Sequence, residues 1–236
     1  MQYLWEKFNV KTFPAETVVF VDGEFRPELS DPGSGITVST DENITITIDK
    51  CHDIPVHIIY VGEIDGDRKL YIKNKFGDKG SQLVFFTVKL HIKKPAFLQF
   101  FIENAGKNST TDANIVIQNE SDLKLHFFSD HLVENTGLFV KNRVLAHENS
   151  NTELYGSAKI VGDASGCESD MSFSAMCAPS AKIKMSPNQR IASVPDDARH
   201  SASIYRGTAP QIQFLGRAGM TAEQIKKILE DAFIDN

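Results

Sequence analysis

Between residues 16 and 205 the dominant rhythm is short runs with apolar residues at alternate positions, and no helical periodicity of convincing length occurs. That rhythm dictates half-buried strands, because successive side chains of a strand point to opposite faces. Ile44-Thr45-Ile46-Thr47-Ile48 alternates strictly. Val84, Phe86, Val88, Leu90 and Ile92 share one face of a second run, with Thr87, Lys89, His91 and Lys93 opposite. Shorter strands are predicted at residues 18–21, 56–61, 70–72, 97–102, 115–117, 123–127, 138–140, 154–160 and 181–185. Most run three to six residues, with Gly, Asn, Asp or Ser between them. An array of this kind closes as a sandwich, a barrel or a β-solenoid. Hairpin signals are few: Asp22-Gly23 is one, and Asp65-Gly66-Asp67 is a clearer one. Their scarcity leans toward a parallel β-helix, whose strands are joined by corners rather than two-residue turns. No exact internal repeat is visible, so on this ground solenoid and sandwich both stay open.

The C-terminus changes character. Thr208-Ala209-Pro210-Gln211 is a capping-box pattern with Pro just inside the helix it starts. Arg217-Ala218-Gly219 ends that helix, with Gly219 suited to a left-handed cap. Thr221-Ala222-Glu223-Gln224 is a second capping box, and Ile225, Ile228, Leu229, Ala232 and Phe233 follow at helical spacing. The chain therefore divides into residues 1–15, an arm or short helix; 16–205, the β-body; and 206–236, a helical tail.

Charge and composition exclude several classes. Over 236 residues the net charge is −6 and the pI about 5.6, against a nucleic-acid binder that needs a basic face. No apolar run approaches the roughly 18–20 residues that span a bilayer. The first residues lack the pattern of a secretory leader, and three cysteines without Cys-x-x-Cys spacing argue for a reducing compartment. The expectation is a soluble cytoplasmic chain, with no nucleic acid and no membrane among its partners.

Catalytic signatures are missing. Gly106-Lys107-Asn108-Ser109 lacks the upstream glycine and the Ser or Thr of a phosphate loop, and no metalloprotease or nucleophile-elbow motif occurs. Cys51-His52-Asp53 sets three ligand types side by side, but neighbours in a strand face opposite ways. His91 and His126 fall on the less apolar strand faces, His57 and His131 read as surface or corner residues, and His147 ends a strand. Cys177 reads as a small buried apolar residue and Cys167 as an exposed loop residue. His200 stands apart, between Asp196-Asp197-Ala198-Arg199 and Ser201-Ala202-Ser203 at the end of the β-body, where an imidazole can face a partner or a metal.

Residues 187–233 resemble the C-terminal signature of the SufB/SufD family of iron–sulfur cluster assembly scaffolds. The matching elements are Pro187, His200-Ser201-Ala202, Gln211-Ile212-Gln213-Phe214-Leu215, Ala218-Gly219-Met220 and Ala232-Phe233. Val19-Phe20-Val21-Asp22-Gly23-Glu24-Phe25-Arg26-Pro27-Glu28-Leu29-Ser30 is similar to the segment that opens the β-domain of SufD-type members, and Pro55-Val56-His57-Ile58-Ile59-Tyr60 to a strand of that domain. The resemblance implies an all-β, right-handed parallel β-helix with a short C-terminal helical segment. It implies a non-enzymatic subunit that pairs with a SufB-like chain through the β-helix and docks the ATPase SufC through the tail. The docking residues it points to are Ile212, Phe214, Leu215, Gly219, Ile225, Ile228, Leu229 and Phe233. His200 maps onto the family's cluster-ligating histidine, the metal ligand of a transient Fe–S cluster shared with a partner cysteine, and Cys177 is a secondary candidate. No cofactor is expected to stay on the isolated chain, which is a candidate homodimer. The SufB cysteine position falls at Ser172, and Arg199 and Ser201 stand where SufB carries glutamates, so the resemblance is closer to SufD. The extra N-terminal helical region of SufD-type members has no counterpart in the roughly fifteen residues before the β-body. The alternative is a carbohydrate-active β-helix enzyme, which needs a ladder of exposed aromatics and acidic pairs. No such ladder is apparent, since the phenylalanines sit mostly at core phases.

Overall fold

The computed structural model describes residues 10, 14–50, 54–75 and 81–235. Fifteen strands, β1 to β15 in chain order, and two helices make a parallel β-solenoid of about five turns with a helical tail. Sheet A holds β1 (Glu16–Val21), β2 (Glu24–Phe25), β5 (Val56–Glu63), β7 (Gln82–Ile92), β9 (Ser109–Asn119), β11 (Gly137–Ala146), β13 (Glu168–Cys177) and β15 (Asp197–Tyr205). Sheet B holds β3 (Ile36–Ser39), β4 (Ile44–Ile48), β6 (Gly66–Asn74), β8 (Ala96–Asn104), β10 (Asp122–His131), β12 (Asn151–Ile160) and β14 (Lys182–Ile191). From β4 onward the chain alternates between the sheets, so each strand pairs in parallel with the one a full turn earlier. Antiparallel pairing is confined to the start, where β2 folds back on β1 and β3 on β4.

Register makes the core. Ile58, Phe86, Ala113, Val140, Met171 and His200 form one column, each the lateral partner of the next and roughly thirty residues apart. The first five are buried. Across the interior, Phe86 meets Phe100 edge to face at 5.2 Å, a geometry that adds about 0.5–1.5 kcal/mol beyond burial. Where sheet B turns its corner, Asn74, Asn104 and His131 are consecutive partners, and Asn74 donates to Asn104 across 3.0 Å. That bond offsets part of the cost of burying the two amides.

Several readings change. Asp65-Gly66-Asp67 is not a hairpin: Glu63 pairs with His91 in sheet A and Gly66 with Ala96 in sheet B, so the segment is a corner. Asp22-Gly23 is the hairpin, both residues holding positive φ, 54° and 81°. Strands are longer than the apolar runs suggested, up to 11 residues, because outward polar residues join the ladder. β13 and β15 carry Ser or Ala at four of ten and four of nine positions and escape an apolar-run reading altogether. Cys51-His52-Asp53 and most of the first fifteen residues lie outside the described residues.

His57 and His131 are not surface residues: both are buried, at 3% and 0% exposure. His57 Nε2 meets Thr87 Oγ1 at 2.8 Å, and His131 Nδ1 meets Thr136 Oγ1 at 2.7 Å. Burial pushes both pKa values from 6.5 down to about 4, for His131 against the pull of its Thr136 hydrogen bond. Between those values the unfolded chain binds more protons than the folded one. Stability is therefore full above about pH 6.5 and falls toward pH 4, by on the order of 3 kcal/mol per histidine. Urea denaturation at about pH 7 and pH 4.5 should show the loss, and His131→Gln should make it shallower.

Candidate functional site at the end of the coil

Among the described residues no further turn stacks on the last turn of the solenoid. β15 ends sheet A and β14 ends sheet B, so each leaves one edge of backbone N–H and C=O groups unpaired by a further strand. Interior-facing side chains of this turn are exposed for the same reason. His200 pairs with buried Met171 and continues its column, yet it is exposed. Ile191, Val194 and Ile204 are 47%, 79% and 54% exposed. Exposed apolar side chains beside open strand edges are the kind of surface that can take a partner.

Gln189 of β14 holds the histidine across the interior. Its amide oxygen lies 3.5 Å from His200 Nδ1, while its amide nitrogen donates to the Arg199 carbonyl at 2.7 Å and to the Ser169 carbonyl at 3.2 Å. Arg199 is paired with Asp197 two residues back on β15, which lowers the carboxyl pKa and raises the guanidinium pKa. His200 is on a strand, β15, at the end of the β-body as the sequence suggests.

Cys177 is buried, as read, among Ala146 and Ala175 with Ile183 and Met185 beside them. Burial pushes its thiol pKa up against the opposing charge of Arg206. It stands six residues along β13 from Met171, the partner of His200, or about 20 Å at the rise of a strand. The fold does not bring Cys177 to His200. Cys167, read as exposed, is fully buried, its Sγ 3.2 Å from Thr136 Oγ1. Ser172 lies on the outer face of sheet A, away from His200, where its Oγ accepts from Ser201 at 3.1 Å. Among the described residues no cluster of three or more His, Cys, Asp or Glu is placed to hold a metal ion.

The tail forms as its capping boxes require. In α1 (Ala209–Arg217) the Thr208 side chain accepts from the Gln211 backbone and the Gln211 side chain from the Thr208 backbone. In α2 (Ala222–Asp235) Thr221 and Gln224 repeat the exchange, and Gly219 between the helices has φ +84°. α2 lies along β11 on the outer face of sheet A, not across the coil end. Ile225 is buried there, Phe233 meets the Tyr205 ring at 5.5 Å, and a Cβ at Gly207 would come within 2.7 Å of Leu229. The tail residues thus divide: Ile225 is buried, Leu215, Leu229 and Phe233 are half-buried, and Ile212, Phe214 and Ile228 are exposed, Phe214 at 72%.

One feature was missed. Tyr71, Phe101 and Phe128 are lateral partners on the outer face of sheet B and form an aromatic stack, with Tyr155 tilted against its end. The rings lie 4.5 Å and 4.9 Å apart and within 13° of parallel. They cover one another's faces and offer edges to solvent, whereas a sugar ring stacks on an aromatic face. Only the period-two phase of Tyr71, Phe101 and Phe128, opposite to that of Ile72, Phe100 and Phe127, marked them in the sequence.

No helix among the described residues is long and apolar enough to cross a membrane. In comparisons with known proteins, the chain matches no family model and no curated protein sequence.

Proposed function

We propose that the chain is a non-enzymatic, SufD-like subunit of a cytoplasmic iron–sulfur cluster assembly complex, pairing with a SufB-like subunit and with the ATPase SufC. The observation that carries this reading is the uncovered end of the coil, where two open strand edges surround His200. A second β-solenoid end set against it continues both sheets, satisfies the edge groups and buries Ile191, Val194 and Ile204. His200 then lies between two chains, where a cysteine of the partner completes a ligand pair. The cluster is cargo: one imidazole holds iron less firmly than a thiolate, which suits a site that must release what it builds.

The tail residues support the second contact. Ile212, Phe214 and Ile228 face away from the β-body, leaving an apolar helical surface for a groove on SufC. Isolated, the chain has the option of pairing end to end with its own copy.

The test is co-expression with SufB-like and SufC subunits from the same source. The chain should co-purify with both, and Ile204→Asp at the coil end should release the SufB-like subunit while SufC stays bound. Elution of the unmodified chain alone would reject the reading.

A further inference from the structure

The tail does not lie flat on sheet A. Between them is a cleft of about 660 Å³, within the usual size of small-molecule sites. Its floor is the outer face of the last strands of the sheet. Lys141, Ser172 and Ser201 form one register column, and Arg143, Ser174 and Ser203 the column two residues on. The far wall is apolar, made by Leu229, Ala232 and Phe233 of α2.

Charge is inverted in this cleft relative to the chain. Lys141, Arg143 and Arg206 line it, and Asp170 is the one carboxylate among its lining residues, in a protein of net charge −6. Neither Lys141 nor Arg206 takes part in an ion pair among the described residues. Asp112, one column from Lys141, has its pKa raised by burial, with the lysine charge pulling the other way. Arg143 is held in place by donating from Nη2 to Asn114 Oδ1 at 2.7 Å. The serines add hydroxyls at fixed spacing: Ser172 and Ser201 are 3.1 Å apart, as are Ser174 and Ser203. Cations with hydroxyl donors recognise oxyanions, and forked guanidinium groups suit phosphate. Opposite them the Tyr205 and Phe233 rings, tilted by 54°, make a surface that favours an apolar or aromatic group.

We infer that the cleft between sheet A and α2 binds a small phosphate ester, its phosphate on Lys141, Arg143 and Arg206 and its apolar part against Tyr205 and Phe233. The site is independent of the coil end and of the assembly role. A ligand there touches both the β-body and the tail, so its binding holds α2 in place.

Calorimetric titration of the full chain with phenyl phosphate and with inorganic phosphate tests the inference. Phenyl phosphate should bind saturably and more tightly than inorganic phosphate. Lys141→Gln and Arg206→Gln, both at exposed positions that leave the far-ultraviolet circular dichroism unchanged, should each weaken it about tenfold, equivalent to about 1.4 kcal/mol. Phe233→Ala should remove the preference for the ester. Absence of saturable binding, or equal binding by the chain and both charge variants, would overturn the inference, as would equal affinity for the two probes.

Discussion

His200→Ala is expected to leave the chain folded and its partners attached, while cluster formation by the reconstituted complex falls by at least about tenfold, as for loss of one essential iron ligand. The folded state should tolerate the change because His200 is exposed at the coil end and its nearest polar partner, Gln189 Oε1, is 3.5 Å away. Gln189 keeps its bonds to the Arg199 and Ser169 carbonyls without it. A surface truncation of this kind shifts stability by about 0.5 kcal/mol or less. Chemistry has no such reserve. The fold sets Cys177 about 20 Å away along the strand direction and turns Ser172 to the other face, so neither stands in for the imidazole. Charge-transfer absorbance on adding ferrous iron and sulfide reads the outcome, with co-purification as the control for assembly. Cys177→Ser should have little effect, and His200→Cys should restore cluster formation with a shifted spectrum. Formation at the unmodified rate by the His200→Ala complex would remove the role assigned to this residue.

What could be read in the sequence, and what could not, follows from the geometry of a solenoid. Alternation such as that from Val84 to Ile92 is local, and the capping boxes at Thr208 and Thr221 are local, so both were legible before any coordinates. Exposure is not local here. From β5 onward most strand residues have their lateral neighbours roughly thirty residues away, and that distance varies with the corners, which blurs the repeat. His131 and His200 look alike in sequence, polar residues at strand margins. His131 is buried because Asn104 and Ile160 flank it from adjacent turns, and His200 is exposed because only Met171 does. The Tyr71, Phe101 and Phe128 stack and the cation-lined cleft likewise join residues from different turns. The place of His200 on the last turn required the register.

Deleting residues 208–236 should abolish SufC binding and leave the parallel sheets intact. The sheets do not depend on the tail: their ladders close between strands up to Tyr205, and among the described residues of the tail only Ile225 is buried. Deletion will, however, uncover Val116 and Leu145, which lie on the outer face of sheet A that α2 lies along and are 6% and 5% exposed. A truncated chain that aggregates through that strip would also lose SufC, for a reason unrelated to docking. Phe214→Asp separates the two. Phe214 is 72% exposed and touches little of its own chain, so a carboxylate there leaves the tail seated on β11. Inserted into an apolar groove of a partner, the same carboxylate must be desolvated without a counter-ion, and docking should fail by two or more orders of magnitude in affinity, equivalent to about 2.7 kcal/mol or more. The circular dichroism signal of the sheets should be unchanged in both variants, and the SufB-like subunit should remain bound to both. If SufC held Phe214→Asp as tightly as the unmodified chain, the exposed face of α1 would not be its docking surface, and binding of SufC by the truncated chain would remove the tail from the contact altogether.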